Sequence, residues 1–424
     1  MFVWWQLIQL ICFDDGTTMA DIHYTDPNGP MYYNGVYHLF YQYNPHSALF
    51  GYGMLWARSA SYDLINWFSL DHALVPSEPF DALGSKPGNP ENRSDPLLIE
   101  WSKYSRNPLM TPPNGVDGDN FRDPTTAWQG PDGTWKVVIG SYSNKRGTDI
   151  LYRSEDFVNW TMHPETLYLA LETDMWECLD FFPVSINSTN GVDTSVTNPS
   201  VRHVMKEKFL PDVDFKGTNS DLRIDYGKFY PSNTFFDGKK NRRVLWAWVN
   251  ESDSSEDDIQ KGWSGLQVYI YGKHLESGSV FEVSGITASQ VDTEIIFELP
   301  ELEEAEFMDT SLVDPQLICD RQDSSVTGKY GPFGLLALAT ICAVSRKGWS
   351  SLRNNLDKTT YGAFVDIDPH QEMVSLRTLI DHLIIGSFGG KGRTCITARV
   401  YPKLAINNEA HLFAFNNGTL SVTI

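Results

Sequence analysis

The sequence predicts an all-β protein, and three observations predict it. Short aromatic and β-branched runs recur, each bounded by Gly, Pro, Asn or Asp: residues Val36–Tyr43, Trp135–Ile139 and Val244–Val249. Capped segments with the 3.6-residue helical period are scarce. A motif also repeats: Ser61-Tyr-Asp-Leu-Ile-Asn-Trp67 and Ser154-Glu-Asp-Phe-Val-Asn-Trp160 both read S-x-D-[LF]-[IV]-N-W.

Residues 2–13 are mostly apolar, but no Lys or Arg precedes Arg58, and Asp14 and Asp15 follow at once. A secretory leader needs a basic start and a small-residue cleavage site, so a buried first strand or a wrongly assembled start is the expectation here. Further along, each copy of the repeat carries an Asp-Pro and then a Gly-x-aromatic strand start. These are Asp26-Pro27 with Gly35-Val36-Tyr37, and Asp123-Pro124 with Gly133-Thr134-Trp135. A multi-stranded unit of about 40–50 residues matches a propeller blade; two unrelated hairpins with similar turns are the plainer alternative. The acidic stretch Glu251–Asp258 has no core former and reads as an exposed loop. Beyond about residue 280 the repeat marks vanish while strands continue, at Glu294–Glu298, Ala363–Ile367 and Ala410–Phe415. A second all-β unit, a sandwich, fits there. The expected division is a propeller over 20–270 and a sandwich over 280–424. The run Gly386–Arg393 has no Ser or Thr directly after Lys391 and no following helix pattern, so it reads as a β-turn rather than a phosphate loop.

The chain has 424 residues, 33 basic and 54 acidic, with a net charge of −21. That balance argues against nucleic acid and anionic membrane surfaces as partners, since phosphate binding needs basic patches. No apolar run reaches the roughly 18 residues of a spanning helix. With 13 % aromatic residues the chain is too rich in core formers for a solvated coil. An acidic, aromatic-rich surface suits neutral polar ligands such as sugars. The five cysteines, Cys12, Cys178, Cys319, Cys342 and Cys395, form no C-x-x-C pair. Five N-x-S/T sequons stand at Asn92, Asn159, Asn187, Asn250 and Asn417 and point towards a secretory route.

The sequence has no H-E-x-x-H, G-x-S-x-G or EF-hand loop, and its ten His make no ligand spacing. Metal catalysis therefore has little support. What the chain offers instead is carboxylates in turn-rich surroundings: Asp26-Pro-Asn-Gly-Pro30, Phe121-Arg-Asp-Pro124 and Trp176-Glu-Cys-Leu-Asp-Phe-Phe-Pro183. Glu177 and Asp180 sit among Met175, Trp176, Phe181 and Phe182, and apolar company disfavours a charged carboxyl, as a general acid requires. Asp26, in a polar turn, is expected to stay ionised, as a nucleophile requires. Two carboxylates in opposite environments are the chemistry of glycoside cleavage. In a propeller, matching blade positions converge on a central channel, so Asp26 and Asp123 are expected to face each other. Each site also has a purely structural reading: a turn at Asp26, a surface pair at Arg122-Asp123, a half-buried carboxylate at Glu177.

Taken jointly, these motifs with Tyr37-His-Leu-Phe-Tyr-Gln-Tyr-Asn-Pro45, Asn241-Arg-Arg-Val-Leu-Trp246, Lys261-Gly-Trp-Ser-Gly-Leu266 and Ser375-Leu-Arg-Thr-Leu-Ile-Asp-His382 carry a resemblance. The chain resembles the plant acid β-fructofuranosidases, the invertases and fructan exohydrolases of glycoside hydrolase family 32, from Asp26 nearly to its last residue. The resemblance implies a five-bladed β-propeller followed by a β-sandwich, and release of terminal fructofuranosyl units from sucrose or fructans with retention. It implies Asp26 as nucleophile, Glu177 as acid/base and Asp123 as transition-state stabiliser, with Gln42 and Arg122 binding substrate. It implies a cell-wall or vacuolar location, no cofactor, and Cys319–Cys342 as a sandwich disulfide, while Cys178 reads as a buried free thiol. The chain also departs from the family pattern. His23, Tyr24 and Thr25 replace the usual Trp, apolar residue and Asn before the nucleophile. Segments are missing near Phe80–Ser94, Val204–Phe209 and Ala337–Leu352, so some blades are expected to be incomplete. The alternative function is a catalytically impaired remnant that binds sucrose or fructan, or regulates a true invertase.

Overall fold

A computed structural model describes residues 25–45, 53–64, 66–77, 89–90, 92–143, 146–171, 173–188, 190–208, 224–249, 274–275, 279–282, 290–299, 315, 318, 333–339, 361–365, 370, 373–381, 384–400 and 410–423. These fall into two compact units, one built from residues up to 208 together with 230–248, the other from 224–229 and from 249 onward.

The first unit opens with an antiparallel sheet of β1 (Thr25–Tyr33), β2 (Val36–Tyr43), β3 (Leu55–Ser61) and β4 (Trp67–Leu74), in that order. On β2, alternation sends Tyr37, Leu39 and Tyr41 into a core with Leu55, Ala57, Leu64, Trp67 and Phe235. The opposite face is polar yet buried. Arg58 of β3 donates to the carbonyls of Asp71, Leu97, Leu98 and Ile99, and His38 of β2 meets the carbonyl of Pro96. A buried guanidinium is tolerable only with such partners. The pair β5 (Asn89–Pro90) and β6 (Trp101–Ser102) follows.

The second sheet runs β7 (Phe121–Arg122), β8 (Trp128–Gln129), β9 (Trp135–Ser143), β10 (Arg146–Ser154), β11 (Thr161–Met162) and β12 (Leu169–Leu171), with β9 and β10 at its centre. The predicted repeat is structural. Between β3 and β4, Asp63 accepts from the backbone N–H of Asn66 at 2.7 Å and from its side-chain Nδ2 at 2.7 Å. Between β10 and β11, Asp156 holds Asn159 in the same way, at 2.7 and 2.6 Å. Trp67 and Trp160 each donate an indole N–H to the residue three back, Leu64 or Phe157, both at positive φ. Two further sheets have two strands each among the described residues: β13 (Glu177–Ser185) with β14 (Val201–Lys208), and β15 (Phe229–Asp237) with β16 (Arg242–Val249).

The second unit contains β17 (His274–Leu275), β18 (Ser279–Glu282), β19 (Gln290–Glu298), β20 (Phe333–Ala339), β21 (Met373–Asp381), β22 (Ile384–Gly389), β23 (Thr394–Arg399), β24 (His411–Asn416) and β25 (Val422–Thr423). One sheet has the order β17-β25-β19-β21-β22-β23 and the other β18-β24-β20. Ile295, Phe297 and Val422 of the larger sheet, with Leu299 just past β19, meet Phe333 and Leu335 of the smaller, as a sandwich core requires. The Gly-rich run forms the β22–β23 hairpin turn, with Gly390, Lys391 and Gly392 at positive φ. The acidic stretch Glu251–Asp258 lies outside the described residues.

Candidate active site

Asp26 was expected in a turn and instead lies on a strand, opposite Gln42 in the β1–β2 register. The Asn-Gly pair produces an irregularity between Asn28 and Met31, with Gly29 at φ 52°, and the chain continues as β1 rather than reversing. Pro27 lies on β1, the edge strand of its sheet among the described residues, where proline is tolerated. Gln42 is half-buried and also stands opposite Trp56 of β3.

Asp123 directly follows the two-residue strand β7. The chain beyond it is locked to β9 by Thr125 N–H donating to the Val138 carbonyl at 2.8 Å and Val138 N–H donating to Thr125 Oγ1 at 3.1 Å. Glu177 opens β13, and two glycines bring it to Asp123. Gly140 of β9 stands opposite Arg122, and a Cβ there would lie 2.0 Å from the Trp176 carbonyl oxygen. A Cβ at Gly147 of β10 would lie 2.0 Å from Trp176 Nε1. With neither side chain present, Trp176 is fully buried, stacks on Tyr168 at 5.7 Å and donates to Thr173 Oγ1 at 3.1 Å. Its successor Glu177 is thereby set beside Arg122.

The polar contacts then close around three residues. Arg122 Nη2 donates to Glu177 Oε1, its Nη1 donates to the Asp119 carbonyl, and its Nε lies 3.9 Å from Asp123 Oδ2. Cys178 N–H donates to Asp123 Oδ2 at 3.0 Å, and its thiol approaches the same oxygen at 3.6 Å. Burial pushes the Asp123 carboxyl above the ordinary carboxylate range, opposed by the Cys178 N–H and by Arg122 and reinforced by the charge of Glu177. The apolar company expected of Glu177 is thus incomplete, because the guanidinium of Arg122 reaches it across 55 residues of sequence. Gly140 carries no sequence signal beyond the absence of a side chain, and the reading of Cys178 as a buried thiol did not include its contact with Asp123. The Cys178 thiol is half-buried and touches a candidate catalytic carboxylate.

Other expected features lie apart from this cluster. Asn92, Asn159 and Asn187 are exposed and Asn417 is half-buried. Asn250, Cys319 and Cys342 lie outside the described residues. No group of metal-ligating side chains occurs among the described residues, and no helix among them is long and apolar enough to cross a membrane.

The model for the glycosyl hydrolases family 32 N-terminal domain matches residues 19–89 and 87–277, and that for the family 32 C-terminal region matches 282–424. The β-fructofuranosidase insoluble isoenzyme CWINV1 of Arabidopsis thaliana is 43 % identical over 507 residues, covering 94 % of this chain and 86 % of that protein. Fructan 6-exohydrolase of Beta vulgaris is 39 % identical, covering 94 % and 83 %. The crystal structure of fructan 1-exohydrolase IIa from Cichorium intybus superposes with a TM-score of 0.86 at 44 % identity, covering 95 % of this chain and 94 % of that one. An alignment of 507 positions exceeds the 424 residues of this chain, so the Arabidopsis protein carries segments that this one lacks.

Proposed function

From the premise that this chain belongs to glycosyl hydrolase family 32, a β-propeller followed by a β-sandwich, we infer how its carboxylates divide the work of a β-fructofuranosidase-type glycosidase. The substrate is sucrose or a fructan, and the bond broken joins the anomeric carbon of a terminal fructofuranosyl unit to its leaving oxygen. Asp26 attacks that carbon and forms a fructosyl ester, while Glu177 gives its proton to the departing oxygen. Water then attacks the ester as Glu177 takes the water's proton, freeing fructose and Asp26 with configuration retained. Retention needs the two carboxyl groups about 5–5.5 Å apart. Asp123 accepts hydrogen bonds from fructose hydroxyls as positive charge builds on the ring, and Gln42 and Arg122 hold the sugar.

The observation that carries this reading is the Arg122 side chain, which bridges Glu177 and Asp123. A donor shared by two carboxylates is a ready hydroxyl-binding fork. Relatives named for cell-wall isoenzymes and a fructan hydrolase support an extracellular or vacuolar setting. The test is fructose release from sucrose, inulin-type and levan-type fructans near pH 5. Asp26→Asn and Glu177→Gln are each expected to lower kcat/KM by a factor of about 10²–10⁴. A folded chain that releases no fructose from any of them, yet binds fructan, would overturn the enzyme in favour of a binding protein.

A further inference from the structure

Asp180 is a buried carboxylate that the reaction does not use, and its place in the sheet ties it to Glu177. In the β13–β14 register Glu177 stands opposite Lys208 and Asp180 opposite Lys206, with an irregularity between them. Three steps along β13 therefore match two along β14, which is a one-residue bulge at Cys178-Leu179. Partners two apart on β14 share a face, so the bulge puts Glu177 and Asp180 on the same face of the sheet. Regular alternation would have put them on opposite faces. The direction in which Glu177 leaves the sheet thus depends on that extra residue being held between two defined points.

One point is the Cys178–Asp123 hydrogen bond. The other is Asp180, which is 1 % exposed and is bonded to Thr234 of β15. Lys206 reaches from β14 to the carbonyl and hydroxyl of Ser232 on β15, at 2.7 and 2.9 Å. Arg243 of β16 donates to Thr234 Oγ1 at 3.0 Å and lies over the Phe182 ring at 5.9 Å. One buried acid thus feels the charge of two cations, Lys206 and Arg243, that each bond to β15. Burial pushes the Asp180 carboxyl up, while Lys206 and Thr234 hold it down. Its Oδ2 has no hydrogen-bond partner among the described residues, an arrangement that packing strength alone does not call for.

We propose that Asp180 is a positioning residue for the acid/base Glu177: its anchorage through Thr234 to β15, beside the cations Lys206 and Arg243, pins β13 just past the bulge and so aims Glu177 at the leaving oxygen. The proposal rests on the reading of Glu177 as the acid, and the test keeps the two apart. The kcat/KM values of the full chain are measured on sucrose, whose leaving group needs a proton, and on a nitrophenyl β-fructofuranoside, whose leaving group does not. Asp180→Asn is expected to lower kcat/KM on sucrose by about ten- to a hundredfold, within the 10²–10⁴ that general acid catalysis supplies. On the aryl substrate it stays within about twofold of the parent. Thr234→Val removes the shared hydroxyl and leaves the charges, and it is expected to show the same selective loss, smaller in size. It carries the test if Asp180→Asn does not fold. Equal losses on both substrates, or none on either, would overturn the proposal and make Asp180 a scaffold residue. Glu177→Gln is the control. If it too shows no preference between substrates, the acid assignment has failed rather than the role of Asp180.

Discussion

Asp123 and Cys178 are both held at positive φ, 59° and 50°. For a residue with a Cβ this conformation costs roughly 1–2 kcal/mol, and it persists where the surroundings over-determine it. Here the two positions hold each other, since the Cys178 N–H is bonded to the Asp123 carboxylate and Glu177 is the next residue back. Hydrogen bonds to charged groups contribute about 1.5–3 kcal/mol, whereas a thiol at 3.6 Å is a weak donor. Cys178→Ala keeps the backbone donor and is expected to leave kcat/KM within about threefold of the parent. A hundredfold loss in that variant would show that the thiol, not the N–H, orients Asp123. The Phe-Arg-Asp-Pro motif marks Asp123 in the linear chain. Nothing local marks Cys178 as its partner, because the contact spans 55 residues.

Among the elements, the S-x-D-x-x-N-W segments show what local chemistry can specify unaided. Ser, Asp and Asn bond to their own neighbours within three residues, so the same letters give the same turn in both copies. Asp26-Pro-Asn-Gly shows the opposite case. Its turn propensity yields to pairing with β2, and only Gly29 keeps the left-handed conformation. Gly140 is the element-scale determinant of the site, because β9 must pass under Trp176 with no side chain between them. In Gly140→Ala, Trp176 and Glu177 have to move by about an ångström, a displacement that costs near a hundredfold in rate. The kinetics should thus fall about a hundredfold while circular dichroism still reports the β fold; full activity in that variant would mean that β13 does not need this close approach.

Across the whole molecule, the charge of −21 and the buried acids set a pH dependence of stability. Burial raises Asp123, Asp149 and Asp180. Each binds its proton more tightly folded than unfolded, so the stability it contributes is present below about pH 4 and is lost as pH rises through its folded value. Asp95, Asp132 and Asp156 are held down by hydrogen bonds from backbone N–H groups and side chains, Asp132 to about 2. Their contribution is present above the ordinary value and is lost as pH falls through the folded one. The Tm is therefore expected to peak in mildly acidic solution and to fall as pH rises from there, with added salt recovering part of the loss by screening. A Tm that rises steadily to pH 8 would contradict this. Strand period, the repeated S-x-D-x-x-N-W turn and the candidate catalytic motifs were legible in the linear chain, because each is set by neighbours within a few residues. From them came the all-β class, the repeated blade and the residues Asp123 and Glu177. The ion pair of Arg122 with Glu177, the clasp of Cys178 on Asp123 and the shared face of Glu177 and Asp180 belong to the tertiary structure. They depend on strand register and on one inserted residue, and a single-residue slip reverses every side chain's face without changing a letter of the pattern.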